Sequence, residues 1–238
     1  MISIILFILC SFLPLQNQEA VTYIHINNDW SPFVGPLKVT ITGDKFLFTI
    51  KESNHFRFFI TDTLAVCSIS QVSDEFYLIS SEKPETVVQN NMIVSQQLDN
   101  TINEGKRISF DIPVKHMSLK FHVSLGNDYF AESIDFDYNY NHRPCSIIIP
   151  DTTERIYFGF DTDFSNVMEH PHGYTFQGIL SVKPSISCII NPNMNDITIS
   201  IPNLDDAFFQ RYYVQQEYIR ICHDTLSWRG VDFIRENK

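Results

Sequence analysis

The sequence predicts an all-β protein made of two β-sandwich domains in tandem, with at most one short helix near residues 203–211. Three observations lead there. Apolar and polar residues alternate along most of the chain. Turn signals interrupt the alternation at short intervals. Segments of the first half return, in order, in the second.

The chain begins with an apolar run, Ile4–Leu15. It has the length of a signal-peptide core and is too short to span a bilayer, so residues 1–20 are expected to be a signal peptide. The segment lacks an early Lys or Arg, and cleavage after Ala20 would put Gln18 where a small residue is usual. A buried first strand or helix is the competing reading. No later run is long enough for a membrane helix, so a secreted, extracellular protein without a transmembrane anchor is expected.

The alternation then defines strands. Leu37, Val39 and Ile41 lead to a Gly43-Asp44 turn, and Phe46, Phe48 and Ile50 return. Ile108, Phe110 and Ile112 precede Pro113, and Leu119, Phe121 and Val123 follow. Ile134, Phe136, Tyr138 and Tyr140 alternate with Ser133, Asp135, Asp137 and Asn139, and Ile197, Ile199 and Ile201 precede Pro202. Because side chains alternate with period two, a one-residue slip would expose each apolar face, which sets the register. The exception is Leu204, Phe208 and Tyr212, spaced by four, with Asn203 as a candidate N-cap and acids Asp205 and Asp206 in the first turn. Gln89–Arg107 is polar and reads as a long loop, with Met92–Val94 a possible strand inside it.

Four echoes support the tandem. Leu37–Phe46 resembles Leu119–Phe130, and Cys67-Ser68-Ile69 resembles Cys145-Ser146-Ile147. Glu75–Leu78 resembles Arg155–Phe158, and Ile108–Pro113 resembles Ile197–Pro202. They divide the chain into domains 21–116 and 117–238.

Composition excludes some functions. Of 238 residues, 44 % are apolar and 19 % charged, which suits a packed core rather than disorder. The net charge of −11 is repelled by phosphate backbones, so no nucleic-acid partner is expected. There is no Asn-x-Ser/Thr glycosylation acceptor.

Cys10 lies in the apolar leader. The remaining Cys67, Cys145, Cys188 and Cys222 are candidates for two disulfides, with Cys188–Cys222 the expected bridge although the connectivity stays open. No nucleophile elbow, phosphate loop, zinc-protease motif or Cys-x-x-Cys occurs, so no cofactor and no catalysis are expected. His170 and His172, flanking Pro171, are the best metal candidates, with Asp161 or Asp163 as further ligands; a solvated Pro-kinked loop is the favoured reading of them, so no metal is expected. Asp135, Asp137, Asp161 and Asp163 could be paired carboxylates, but alternation turns Asp135 and Asp137 outward, where ordinary acidity suits a basic partner better than acid catalysis. Cys222-His223 has the composition of a nucleophile beside its base, yet neighbours on a strand face apart. Trp30 and Trp228 are either ligand platforms or core.

The Cys-Ser-Ile segments and the strands ending in Ile-Pro (Ile108–Pro113 and Ile197–Pro202, the latter followed by Tyr218–Cys222) resemble the six-cysteine surface proteins of apicomplexan parasites. The proposed units keep one and three cysteines, where that family has up to six per domain. The resemblance implies a parasite surface or secreted protein that binds host or partner proteins and has no catalytic residues. A secreted binding protein is therefore expected, with a carbohydrate-binding, lectin-like protein as the alternative.

Overall fold

The computed structural model describes residues 19–25, 36–50, 61–115, 118–125, 133–138, 145–162, 167–169, 175–179 and 181–236. Residues 1–18 of the expected signal peptide, Trp30, Tyr140, Asp163, His170 and His172 lie outside them.

The chain opens with five strands: β1 (Val21–His25), β2 (Leu37–Thr42), β3 (Lys45–Ile50), β4 (Thr63–Gln71) and β5 (Phe76–Ser80). The Gly43-Asp44 turn joins β2 to β3 as expected, with Gly43 at φ 61°, a conformation glycine adopts without a Cβ clash. A helix and ten strands follow: α1 (Pro84–Asn91), β6 (Ile93–Gln97), β7 (Lys106–Asp111), β8 (Leu119–Leu125), β9 (Ser133–Tyr138), β10 (Cys145–Ile149), β11 (Arg155–Thr162), β12 (Val167–Glu169), β13 (Thr175–Gln177), β14 (Ser181–Ile189) and β15 (Asp196–Ser200). Helix α2 (Asp206–Gln210) precedes the last three strands, β16 (Glu217–Cys222), β17 (Thr225–Trp228) and β18 (Val231–Arg235).

The protein is all-β, but its strands do not group as two tandem sandwiches. β1–β5 join β16–β18 in a closed barrel of order β1-β18-β17-β16-β5-β4-β3-β2, antiparallel throughout. The remainder forms two four-stranded sheets, β10-β7-β15-β6 and β14-β11-β8-β9, and a small β12-β13 ribbon. The two sheets share one apolar cluster, in which Phe110 of β7 meets Phe121 of β8 at 4.8 Å and Phe158 of β11 at 5.3 Å. One sandwich is thus inserted between β5 and β16, which are neighbours in the barrel. Its entry and exit are tied together: Ser81 N–H donates to Val214 O at 2.8 Å, and Val214 N–H to Ser81 Oγ at 3.3 Å. The expected junction at residue 116 falls between β7 and β8, which face each other across the sandwich core.

One of the echoes coincides with a shared environment in a single sheet. Ile197–Ser200 and Ile108–Asp111 are parallel neighbours in one sheet, with Ile197 opposite Ile108 and Ile199 opposite Phe110. All four are fully buried, so the same environment selects the same pattern.

Among the described residues two helices are present, one more than expected. α1 takes in the first residues of the stretch expected as a loop; Pro84 opens it and Glu85 suits its N-terminus. Residues 93–97 do form a strand, β6. α2 lies in the expected window, but Asp205 rather than Asn203 caps it, its carboxylate accepting from Phe208 N–H at 2.8 Å. Among the described residues no helix is long and apolar enough to cross a membrane.

The barrel interior is filled with side chains. Trp228 packs edge-to-face on Phe46 and Phe48, at 5.3 and 5.2 Å between ring centroids. Its indole N–H donates to Glu217 at 2.8 Å, and Arg229 closes the group by pairing with the same carboxylate.

Candidate functional site

The outer face of the β14-β11-β8-β9 sheet gathers the carboxylates singled out in the sequence. Strand β8 sends Leu119, Phe121, Val123 and Leu125 into the core, which turns Lys120 and His122 outward. Register places Asp135 of β9 opposite His122, and Lys120 between Asp137 of β9 and Asp161 of β11. Opposite His122 on the other side is Gly159, where a Cβ would lie 2.4 Å from the backbone of Val182 and Pro184. Only glycine lets β14 approach β11 so closely.

His122 links two of the carboxylates. Its Nδ1 is 2.9 Å from Asp135 Oδ1 and its Nε2 is 3.0 Å from Asp161 Oδ2. Lys120 Nζ lies 3.6 Å from Asp135 Oδ2. Partial burial opposes charge on the ring, but the hydrogen bonds and charges of Asp135 and Asp161 outweigh it and raise the His122 pKa. The hydrogen bond from His122 holds Asp135 below the usual carboxylate range.

This geometry pairs an imidazole and an ammonium with carboxylates across three strands. Asp135 is ionised and has no proton to give as a general acid. Both imidazole nitrogens face carboxylates, so neither is directed at a hydroxyl. Among the described residues the buried Ser124 Oγ has no hydrogen-bond partner, so it is not paired with His122. What the face offers is exposed carboxylates beside hydrogen-bonding groups, suited to lysine or arginine side chains.

A second cluster corrects an expectation. Cys222 and His223 do meet, Sγ to Nδ1 at 3.2 Å, because His223 has left the strand for a tight turn at φ 53°. The thiol also donates to Glu75 at 3.3 Å, and Arg220 binds that carboxylate at 2.8 Å. The hydrogen bond to Glu75, burial and the Glu75 charge push the Cys222 pKa up, so the group is a thiol, opposite to an activated nucleophile.

No disulfide joins Cys67, Cys145, Cys188 and Cys222. Cys67 and Cys188 lie in the barrel and sandwich cores respectively. Cys222 lies on barrel strand β16, so the expected Cys188–Cys222 bridge would have to join the two units. Burial pushes Cys67 and Cys188 to about 11. Trp228, 1 % exposed, is core and not a ligand platform. Tyr138 is also buried, its hydroxyl donating to Ile112 O at 2.9 Å. Among the described residues no group of three or more His, Cys, Asp or Glu is placed to hold a metal ion.

The residue that sequence reasoning missed is His122. Its only signal was its place on the polar side of an alternating strand; the carboxylates it joins lie 13 and 39 positions away. No family model, curated protein or solved structure matches the chain.

Proposed function

We propose that this chain is a secreted, non-catalytic binding protein that engages a basic partner protein through the outer face of the β14-β11-β8-β9 sheet. The observation that carries this reading is the presentation of Asp135, Asp137 and Asp161 together on one side of a rigid sheet. The net charge of −11 adds long-range attraction for a cationic surface. The apolar Ile4–Leu15 run supports secretion. The resemblance to six-cysteine surface proteins points to the same kind of role, on a parasite surface. The carbohydrate-binding alternative loses support with Trp228 in the core.

The test compares wild type with D135N/D137N/D161N in saturable binding to whole cells at about 50 and 300 mM salt. Wild-type binding is expected to weaken steeply with salt, and the triple variant to bind weakly at both. Equal binding by the two proteins would remove the acidic face from the reading.

A further inference from the structure

We propose that His122 is a proton-controlled clamp, which holds the edge strand β9 to its sheet while the ring is charged and lets it loosen when the ring loses its proton. The inference stands apart from the partner reading, because it concerns strand order and needs no ligand.

The argument is one of hydrogen-bond inventory. An ionised carboxylate only accepts, and a neutral imidazole has a single N–H to donate. Here both ring nitrogens lie within 3.0 Å of carboxylate oxygens on different strands. Only imidazolium, with two N–H donors, satisfies both contacts. A neutral ring keeps one and turns the other into a meeting of lone pairs.

The placement gives this a mechanical consequence. Among the described residues, β9 is the terminal strand of its sheet and pairs with β8 alone. Asp135 belongs to β9, His122 to β8 and Asp161 to β11, so the charged ring ties the outermost strand to the interior of the sheet across three strands. Among the described residues, the charged and titratable groups around the ring are Lys120 on its own strand, Asp135 and Asp137 on β9, Asp161 and Tyr157 on β11, and Lys183 on β14, whose backbone approaches Gly159. Of these, Lys120 near Asp135 is the cation that partly replaces the ring when it discharges.

The pH window follows from the two groups. The His122 pKa is raised, so its contribution is complete below its ordinary value of about 6.5 and is lost as pH rises through the raised value. The Asp135 pKa is lowered, so its contribution is present above about 3.9 and is lost as pH falls through the lowered value. The clamp is closed from mildly acidic to near-neutral pH and opens on either side.

The experiment uses the full chain. The ring nitrogens of His122 are titrated by NMR, and amide-exchange protection of Ser133–Tyr138 is followed on both sides of the ring's titration, with β15 as internal reference. Both ring nitrogens are expected to be protonated at pH 6. Protection in β9 is expected to fall roughly two- to fivefold as the ring discharges, the size an exposed ion pair supplies. In H122Q the step should vanish. In D161N, where the ring keeps one carboxylate, the ring's titration and the β9 step should move together to lower pH, which keeps the test decisive if H122Q folds poorly. A ring neutral at pH 6, or a β9 step unchanged in D161N, would overturn the proposal.

Discussion

The barrel and the sandwich solve the same problem, unpaired strand edges, in different ways. The barrel has no edge: β1 pairs with β18, although Tyr23 and Arg235 lie 212 residues apart in sequence. The sandwich has edges and covers one with side chains. The Gln89 amide accepts from Ser187 N–H at 2.9 Å and donates to Ser187 O at 3.3 Å. Gln96 does the same for Asn191 N–H and Ile189 O, at 2.8 and 2.9 Å. Glu85 accepts from Lys183 N–H at 3.3 Å. Three side chains from α1 and β6 thereby stand in for a missing neighbour of β14. Within the closed barrel the Trp228 indole and Arg229 share the Glu217 carboxylate. The open sandwich carries its polar pairs on an exposed face, where they are available to a partner and to protons.

The largest expected effects come from emptying either core. Trp228→Ala and Phe110→Ala should each destabilise by about 3–5 kcal/mol. Trp228 and Phe110 belong to separate apolar clusters. Trp228→Ala is therefore expected to collapse amide protection in β16–β18 while β7, β8, β11 and β15 stay protected. Loss of protection in both units would show that they fold as one and would break the comparison. Gly159→Ala should be smaller, about 1–3 kcal/mol by denaturant unfolding, because the new Cβ meets β14 backbone that cannot swing aside. A stability equal to wild type would mean that the close β11–β14 approach relaxes freely. The smallest effect belongs to the covered edge. Gln89→Ala and Gln96→Ala should each destabilise by about 1 kcal/mol and should raise concentration-dependent self-association in size-exclusion chromatography. An unchanged elution profile for the double variant would show that these side chains do not guard the edge.

Legibility divided along the line between local and long-range information. The Gly43-Asp44 hairpin, β6, the inward faces of β7, β8 and β15 and the helix near 206 all rest on spacing within a few residues. The barrel was invisible because its closing ladders join β1 to β18 and β5 to β16, and no local pattern encodes them. The echo of Ile108–Pro113 in Ile197–Pro202 reported common burial and was read as duplication. At the site, alternation alone turned Asp135 and Asp137 outward. It could not say that His122 and Asp161 stand beside Asp135, since that depends on register across three strands. Cys222 and His223 were placed apart on strand geometry, and one turn residue with positive φ brought them together.

By itself, the sequence determined the all-β class, the acidity and the polar and apolar faces of its clearest strands, because alternation with period two is a local property of the backbone. Tertiary structure alone decided that β1–β5 and β16–β18 close a barrel, with the sandwich inserted between β5 and β16. It also set a histidine between two aspartates and buried Trp228, because each of these depends on which strands become neighbours.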